Sequence, residues 1–153
     1  MQTLYHYFLI AAILISVVGT INAEVLSISS GTSFGMCFGY CRQSINMTSN
    51  PLKIEASKEP NFAHQTYPPV HTTLSFPSNQ WSELISLLNL KIFTALSNTI
   101  GCPDCADGGA EWIQVNWTDG NKRVTFQYGR DVNGIEGLIK KLRQIRQDYL
   151  TNI

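Results

Sequence analysis

The sequence predicts an α+β domain: an antiparallel sheet of hairpins with two amphipathic helices packed on one face. Three observations carry that prediction. Period-two apolar alternation recurs between turn signals, as in half-buried strands. Two other segments place apolar residues at helical spacing. The order is strands, helix, hairpin, helix, and strands joined by short turns are antiparallel with helices gathered on a face.

Glu24 to Ser29 alternates through Leu26 and Ile28 and reads as a first strand. Ser30 to Tyr40 is rich in Gly and Ser and carries Cys37, the first member of its pair. Arg42 to Thr48 alternates through Ile45 and Met47, and Leu52, Ile54 and Ala56 alternate again after Ser49-Asn50-Pro51. That break is a turn signal, so the two runs form a hairpin. Glu59 to Pro69 carries three prolines and little periodicity, which predicts a surface loop. A short strand follows over His71 to Phe76, with Leu74 and Phe76 inward.

Ser78, directly after Pro77, is the expected cap of a helix whose apolar stripe is Trp81, Leu84, Ile85, Leu88 and Ile92. Phe93 and Leu96 extend it or form a second short piece, and a loop runs from Asn98 to Gly109. Glu111 to Trp117 and Lys122 to Tyr128 make the clearest hairpin, turned by Thr118-Asp119-Gly120-Asn121, where Asp-Gly admits positive φ. Asn133 with Glu136 resembles a capping box for a last helix striped by Ile135, Leu138, Ile139, Leu142, Ile145 and Tyr149. Lys140, Lys141, Arg143 and Arg146 fall mostly off that stripe and read as a solvated face near the favourable end of the helix dipole.

Residues 1–23 read as a signal peptide. The apolar run Phe8 to Val18 is short for a membrane span, which needs roughly 20 residues, and Ile21-Asn22-Ala23 is an acceptable cleavage site. The first seven residues lack Lys and Arg, so an uncleaved anchor is the alternative. Residues 24–153 then make one domain, localised outside the cytoplasm as a secreted or periplasmic protein, with no stable membrane span after cleavage. Eleven basic residues balance eleven acidic ones. That balance argues against nucleic acid as a partner, because phosphate binding needs a basic surface.

Three residues intervene between Cys37 and Cys41 and two between Cys102 and Cys105, and in an oxidising compartment such thiols form disulfides. Four cysteines allow three connectivities. On chain entropy a crossed bridge stabilises by about 4 kcal/mol and a local one by about 2, but geometry decides between them. A four-thiolate zinc site has acceptable spacing, and Cys102-Pro103-Asp104-Cys105 is a possible thiol-exchange pair. Oxidation competes with the metal, and Asp104 and Asp107 disfavour a thiolate.

The segment Cys37-Phe38-Gly39-Tyr40-Cys41, running into a strand, resembles a family of small bacterial envelope or secreted proteins of unknown function that open with a Cys-Phe-Gly-x-Cys motif. The family's order of hairpin, helix with a Phe-containing turn, second hairpin and C-terminal helix is similar to the order here. Neither the Pro-rich stretch before Phe76 nor the Cys102/Cys105 pair belongs to that pattern. The resemblance therefore implies that Cys37 pairs with Cys41 unaided. It implies no activity.

Asp104, Asp107 and Glu111 lack the spacing of a calcium loop, and His64 and His71 have no nucleophile or carboxylate at a recognisable spacing. Trp112 points away from Ile113, Val115 and Trp117, among Gln114, Asn116, Thr125 and Gln127. That makes it a candidate contact for protein or glycan, the alternative being packing beneath the Pro-rich loop. Asn46-Met47-Thr48 and Asn116-Trp117-Thr118 match the glycosylation sequon. With no nucleophile–base pair and no phosphate loop, no cofactor is expected. The reading is a disulfide-clipped, non-enzymatic binding or structural module with a protein or envelope partner. The alternative is a redox or zinc-binding envelope protein.

Overall fold

The structure, a computed structural model, describes residues 23–153. The signal-peptide assignment falls on residues outside that range except for Ala23. Seven strands form one mixed sheet in the order β4-β3-β2-β1-β6-β7-β5, accompanied by three helices. The strands are β1 Val25–Ser33, β2 Arg42–Ser49, β3 Leu52–Glu59, β4 Val70–Ser75, β5 Thr99–Ile100, β6 Ala110–Trp117 and β7 Gly120–Gln127. Every neighbouring pair is antiparallel except β5 with β7, which is parallel.

Register turns the sequence alternation into rows. Ile54, Met47, Ile28 and Val115 align across β3, β2, β1 and β6. Ala56, Ile45, Ser30 and Ile113 make the next row, and Val124 continues it on β7. Their apolar side chains are buried with Leu84, Phe93, Leu138, Ile139, Leu142 and Ile145 of the helices in one cluster, and Ser30 is a buried polar member of its row. Burial of this kind contributes roughly 1.5–3 kcal/mol per large apolar side chain before chain entropy is charged against it. A third row on the same face breaks the pattern: Lys58, Gln43, Thr32 and Glu111.

Several expectations change. The first strand continues to Ser33, past its expected end at Ser29. It does so because Gly31 has no side chain: a Cβ there would lie 2.5 Å from the Trp112 ring and 2.7 Å from the Gln43 carbonyl oxygen. In the β6–β7 hairpin Gly120 already pairs with Trp117. Its role is close approach, since a Cβ would meet the Trp117 ring at 2.7 Å. Leu74 faces Ile54 on edge strand β4 and is 46% exposed, whereas Phe76 is buried.

Of the two readings from Ser78 onward the separate second piece holds: the helices are α1 Ser78–Leu87 and α2 Leu90–Ala95, and the stripe residue Ile92 belongs to the second. Leu88 turns extended, and the Asn89 side chain accepts a hydrogen bond from the Ile92 N–H at 3.1 Å, capping the second piece. Ile85 and Ile92 are exposed as a result, and Leu84 and Phe93 fill the core. Pro77 occupies the cap position of α1, so Ser78 is its first residue rather than its cap. Helix α3 spans Glu136–Leu150 with Ile135 at its cap. Asn133 does not cap it; Glu136 instead accepts from the Gly134 N–H at 2.9 Å.

Candidate functional site

The polar row marks one end of the sheet's helix-facing side. There α3 and the loops define a cleft of about 610 Å³. Its floor is Thr32 and Gln43, its walls are Phe34, Tyr40 and Tyr128, and Gln147 and Leu150 of α3 overhang it. The volume lies within the range of ligand sites.

Beneath α3, Glu111 is buried and ionically saturated. It accepts from Arg143 Nε at 3.1 Å and Arg143 Nη2 at 2.8 Å, and from Arg146 Nη2 at 2.5 Å. Arg146 Nη1 donates to Ser30 Oγ at 2.5 Å, and that hydroxyl donates to the Trp112 carbonyl at 3.1 Å. Arg143 also donates to Asp131 at 3.0 Å and to the Arg130 carbonyl at 2.7 Å. The two arginines are therefore not a solvated face: Arg146 is only 7% exposed. Lys141 pairs with Glu83 at 2.6 Å, and Lys140 is exposed. Burial alone would raise the Glu111 pKa; hydrogen bonds from Arg143 and the charge of Arg146 outweigh it, and the net shift is downward. Glu111 thus stays ionised at neutral pH and is no general acid.

Both cysteine pairs are bridged locally, Cys37 to Cys41 and Cys102 to Cys105. The Cys37 loop is pinned from two sides. Asn61 donates to the Phe34 and Gly35 carbonyls at 2.8 and 2.9 Å. Asp104 accepts from the Gly35 N–H at 2.9 Å and the Gly109 N–H at 3.0 Å. Asp104, Ala106 and Asp107 adopt left-handed φ of 58°, 51° and 58° to make that turn. Phe34 packs on Gly109 and stands edge-on to Tyr128, centroids 4.9 Å apart. Tyr67 joins Tyr40 and Phe38 at 5.5 and 5.4 Å, and Phe38 meets His64 at 5.3 Å. The outcome is a stiff loop end that nevertheless presents Met36, Phe38 and Phe62 at 78%, 78% and 84% exposure.

The other sequence candidates separate. Asp104 binds backbone and Glu111 binds arginine, so the acidic trio does not assemble; no metal-holding group of three His, Cys, Asp or Glu occurs among the described residues. His64 sits in the aromatic group, while His71, on β4, lies 3.9 Å from Glu59 at the end of β3. Asn46 and Asn116 project from strands and donate to Glu55 and Ser27 at 3.3 and 2.6 Å. Trp112 is half-buried against Gly31, with the Arg123 guanidinium 3.8 Å above its ring centroid. Its face is therefore unavailable for stacking on a sugar.

Sequence reasoning named Glu111, Arg143 and Arg146 but missed that they pair, and it missed the polar row. A signal for Arg146 was present: it lies seven residues after Ile139 and four after Leu142, on the apolar stripe itself. No described helix is long and apolar enough to cross a membrane. No protein-family model matches the chain, and no curated protein matches it.

Proposed function

We propose that the chain is an exported, secreted or periplasmic, non-enzymatic module that binds a protein partner through its disulfide-clipped loop end, with the adjoining cleft receiving part of that partner. One observation carries the reading: three large apolar side chains, Met36, Phe38 and Phe62, are almost fully exposed on loops that Asn61, Asp104 and the Cys37–Cys41 bridge hold rigid. Aromatic residues and Met are enriched in interfaces, and anchors ordered in advance lose little entropy on binding. The two bridges suit an oxidising compartment. The likeness of Cys37 to Cys41 to the bacterial envelope family belongs to the same proposal, as does the arrangement of two helical stripes over one face of a hairpin sheet.

The test places a photo-crosslinking residue at Phe38, and a control at Thr73 on β4, in the full chain expressed in its native host. A discrete adduct from position 38, absent at 73 and lost on Phe62→Ser, is the expected result. Equal labelling from both positions, or none from 38, overturns the proposal.

A further inference from the structure

The face of the sheet turned away from the cleft holds an arginine whose donors are uncommitted. Register places Arg123 in a row with Gln114, Ser29, Asn46 and Glu55, and places Trp112 beside Gly31, Ser44 and Ser57. These residues alternate with the core residues of the same strands, so they share the opposite face. Most of the charges there are matched: Lys53 pairs with Glu55 at 2.6 Å and Arg42 with Glu59 at 3.0 Å. Its amides and hydroxyls bond to one another, Ser29 to Asn46 at 2.8 Å and Gln114 to Asn116 at 3.2 Å. Arg123 differs. Among the described residues no carboxylate, carbonyl or hydroxyl accepts from its guanidinium; its contact is the Trp112 ring.

The stack fixes the fork without consuming it. A guanidinium lying flat on an indole keeps its N–H groups directed outward in its own plane, where they match the two oxygens of a carboxylate or sulfate. Gly31, having no Cβ, lets the indole lie directly against β1, which backs the platform. Arg123 also sits on the rim of two recesses. One, of about 330 Å³, is lined by Ser33, Ser44 and Ser57 together with the paired Arg42 and Glu59; the other, of about 550 Å³, by Asn98, Thr99 and Thr125 together with Lys122.

We propose that this face is a second binding site, for a glycan that carries carboxylate or sulfate groups, with Arg123 holding the anion and the flanking hydroxyls and amides holding sugar hydroxyls. The uncompensated positive charge calls for an anion. The surroundings are hydroxyls, amides and paired charges with no exposed apolar centre, unlike the core of a protein interface. The balanced formal charge of the chain argues against a nucleic acid.

The experiment titrates the whole chain with oligogalacturonate, dextran sulfate and neutral dextran, read by calorimetry and by tryptophan fluorescence. At least one anionic polymer binds and dextran does not. Response to oligogalacturonate alone assigns a uronate, to dextran sulfate alone a sulfate, and to both an anion site without that discrimination. Arg123→Gln weakens binding by about tenfold or more. Arg123→Met, which still covers the indole, does the same, and Phe38→Ser at the loop end changes nothing. Equal binding of neutral dextran, no binding by either anionic polymer, or full affinity in both Arg123 variants overturns the proposal. The Phe38→Ser control keeps this test separate from that of the protein-binding loop end.

Discussion

Glu111→Gln tests whether the buried ion network fastens α3 to the sheet. The substitution keeps size and one acceptor oxygen but removes the charge facing two guanidinium groups. The two halves of the loss are unequal. Arg143 has a side chain 30% exposed and keeps Asp131 at 3.0 Å, so its share is that of a partly screened pair, about 1 kcal/mol or less. Arg146 is 7% exposed, and its remaining partner is the neutral Ser30 hydroxyl. Leaving such a charge buried without its counter-ion costs about 3–5 kcal/mol. At about 4 °C per kcal/mol for a domain of this size, the melting temperature should fall by roughly 12–20 °C.

The pH dependence gives an independent check. The Glu111 pKa is lowered in the folded chain from its ordinary 4.5. A depressed carboxylate contributes stability that is fully present above its unfolded pKa and lost as pH falls through the folded one. The gap between wild type and Glu111→Gln should therefore be full at pH 7 and shrink below about pH 4, near the unfolded glutamate value. The contributions of the other carboxylates cancel in the difference. Urea melts of both proteins at pH 7 and pH 3 measure it. A loss below about 1 kcal/mol at pH 7, or a gap unchanged at pH 3, would refute the argument. Glu111→Leu combined with Arg146→Leu, which removes both buried charges, should be more stable than Glu111→Gln alone.

Gly31→Val should cost about 1–3 kcal/mol, because its side chain enters the space of the Trp112 ring and the Gln43 carbonyl; a urea melt with tryptophan emission reads both the loss and the displaced indole. Asp104→Ala removes two acceptors and places Ala in a left-handed conformation, for a loss of about 2–4 kcal/mol, whereas Asp104→Asn, which tolerates that backbone, should lose about half as much. Thermal melts and the rate of proteolysis within residues 34–41 compare the two. Asn89→Ala should cost about 1 kcal/mol by uncapping α2, seen as faster hydrogen exchange at Ile92 with the strand amides unchanged.

The alternation of Ile45 with Met47, Ile54 with Ala56 and Ile113 with Val115 was enough to place β2, β3 and β6, because burial on one face imposes period two on any such segment, whereas the two-residue β5, inside the expected loop from Asn98 to Gly109, is too short to alternate. What it left out was register. Gln43, Thr32, Lys58 and Glu111 each lie two residues beyond a core position, so each looks like an ordinary strand end until four strands are aligned and the ends form one polar row. Arg146 was passed over because a charged residue on a helix is usually solvated, although its spacing put it on the stripe. A second short piece was one of the two readings at Phe93 and Leu96, but the break's position at Asn89 was hidden because apolar residues continue at helical spacing across it, and the side-chain cap reveals it.

Two adjacent residues of β6 organise both faces. Glu111 points toward α3 and takes up Arg143 and Arg146; Trp112 points the other way and carries Arg123. Ser30 joins them, accepting from Arg146 and donating to the Trp112 carbonyl. A slip of one residue in β6 would exchange the two, burying an indole where the arginines need a carboxylate and setting a carboxylate beside Arg123. Register is therefore held from both sides of the strand, by a charge pair on one and by the Gly31–Trp112–Arg123 stack on the other. The contrast between the arginines follows from that arrangement. Arg146 has its donors committed inside the protein and can only support structure, while Arg123 is held in place by a contact that leaves its donors free for a ligand.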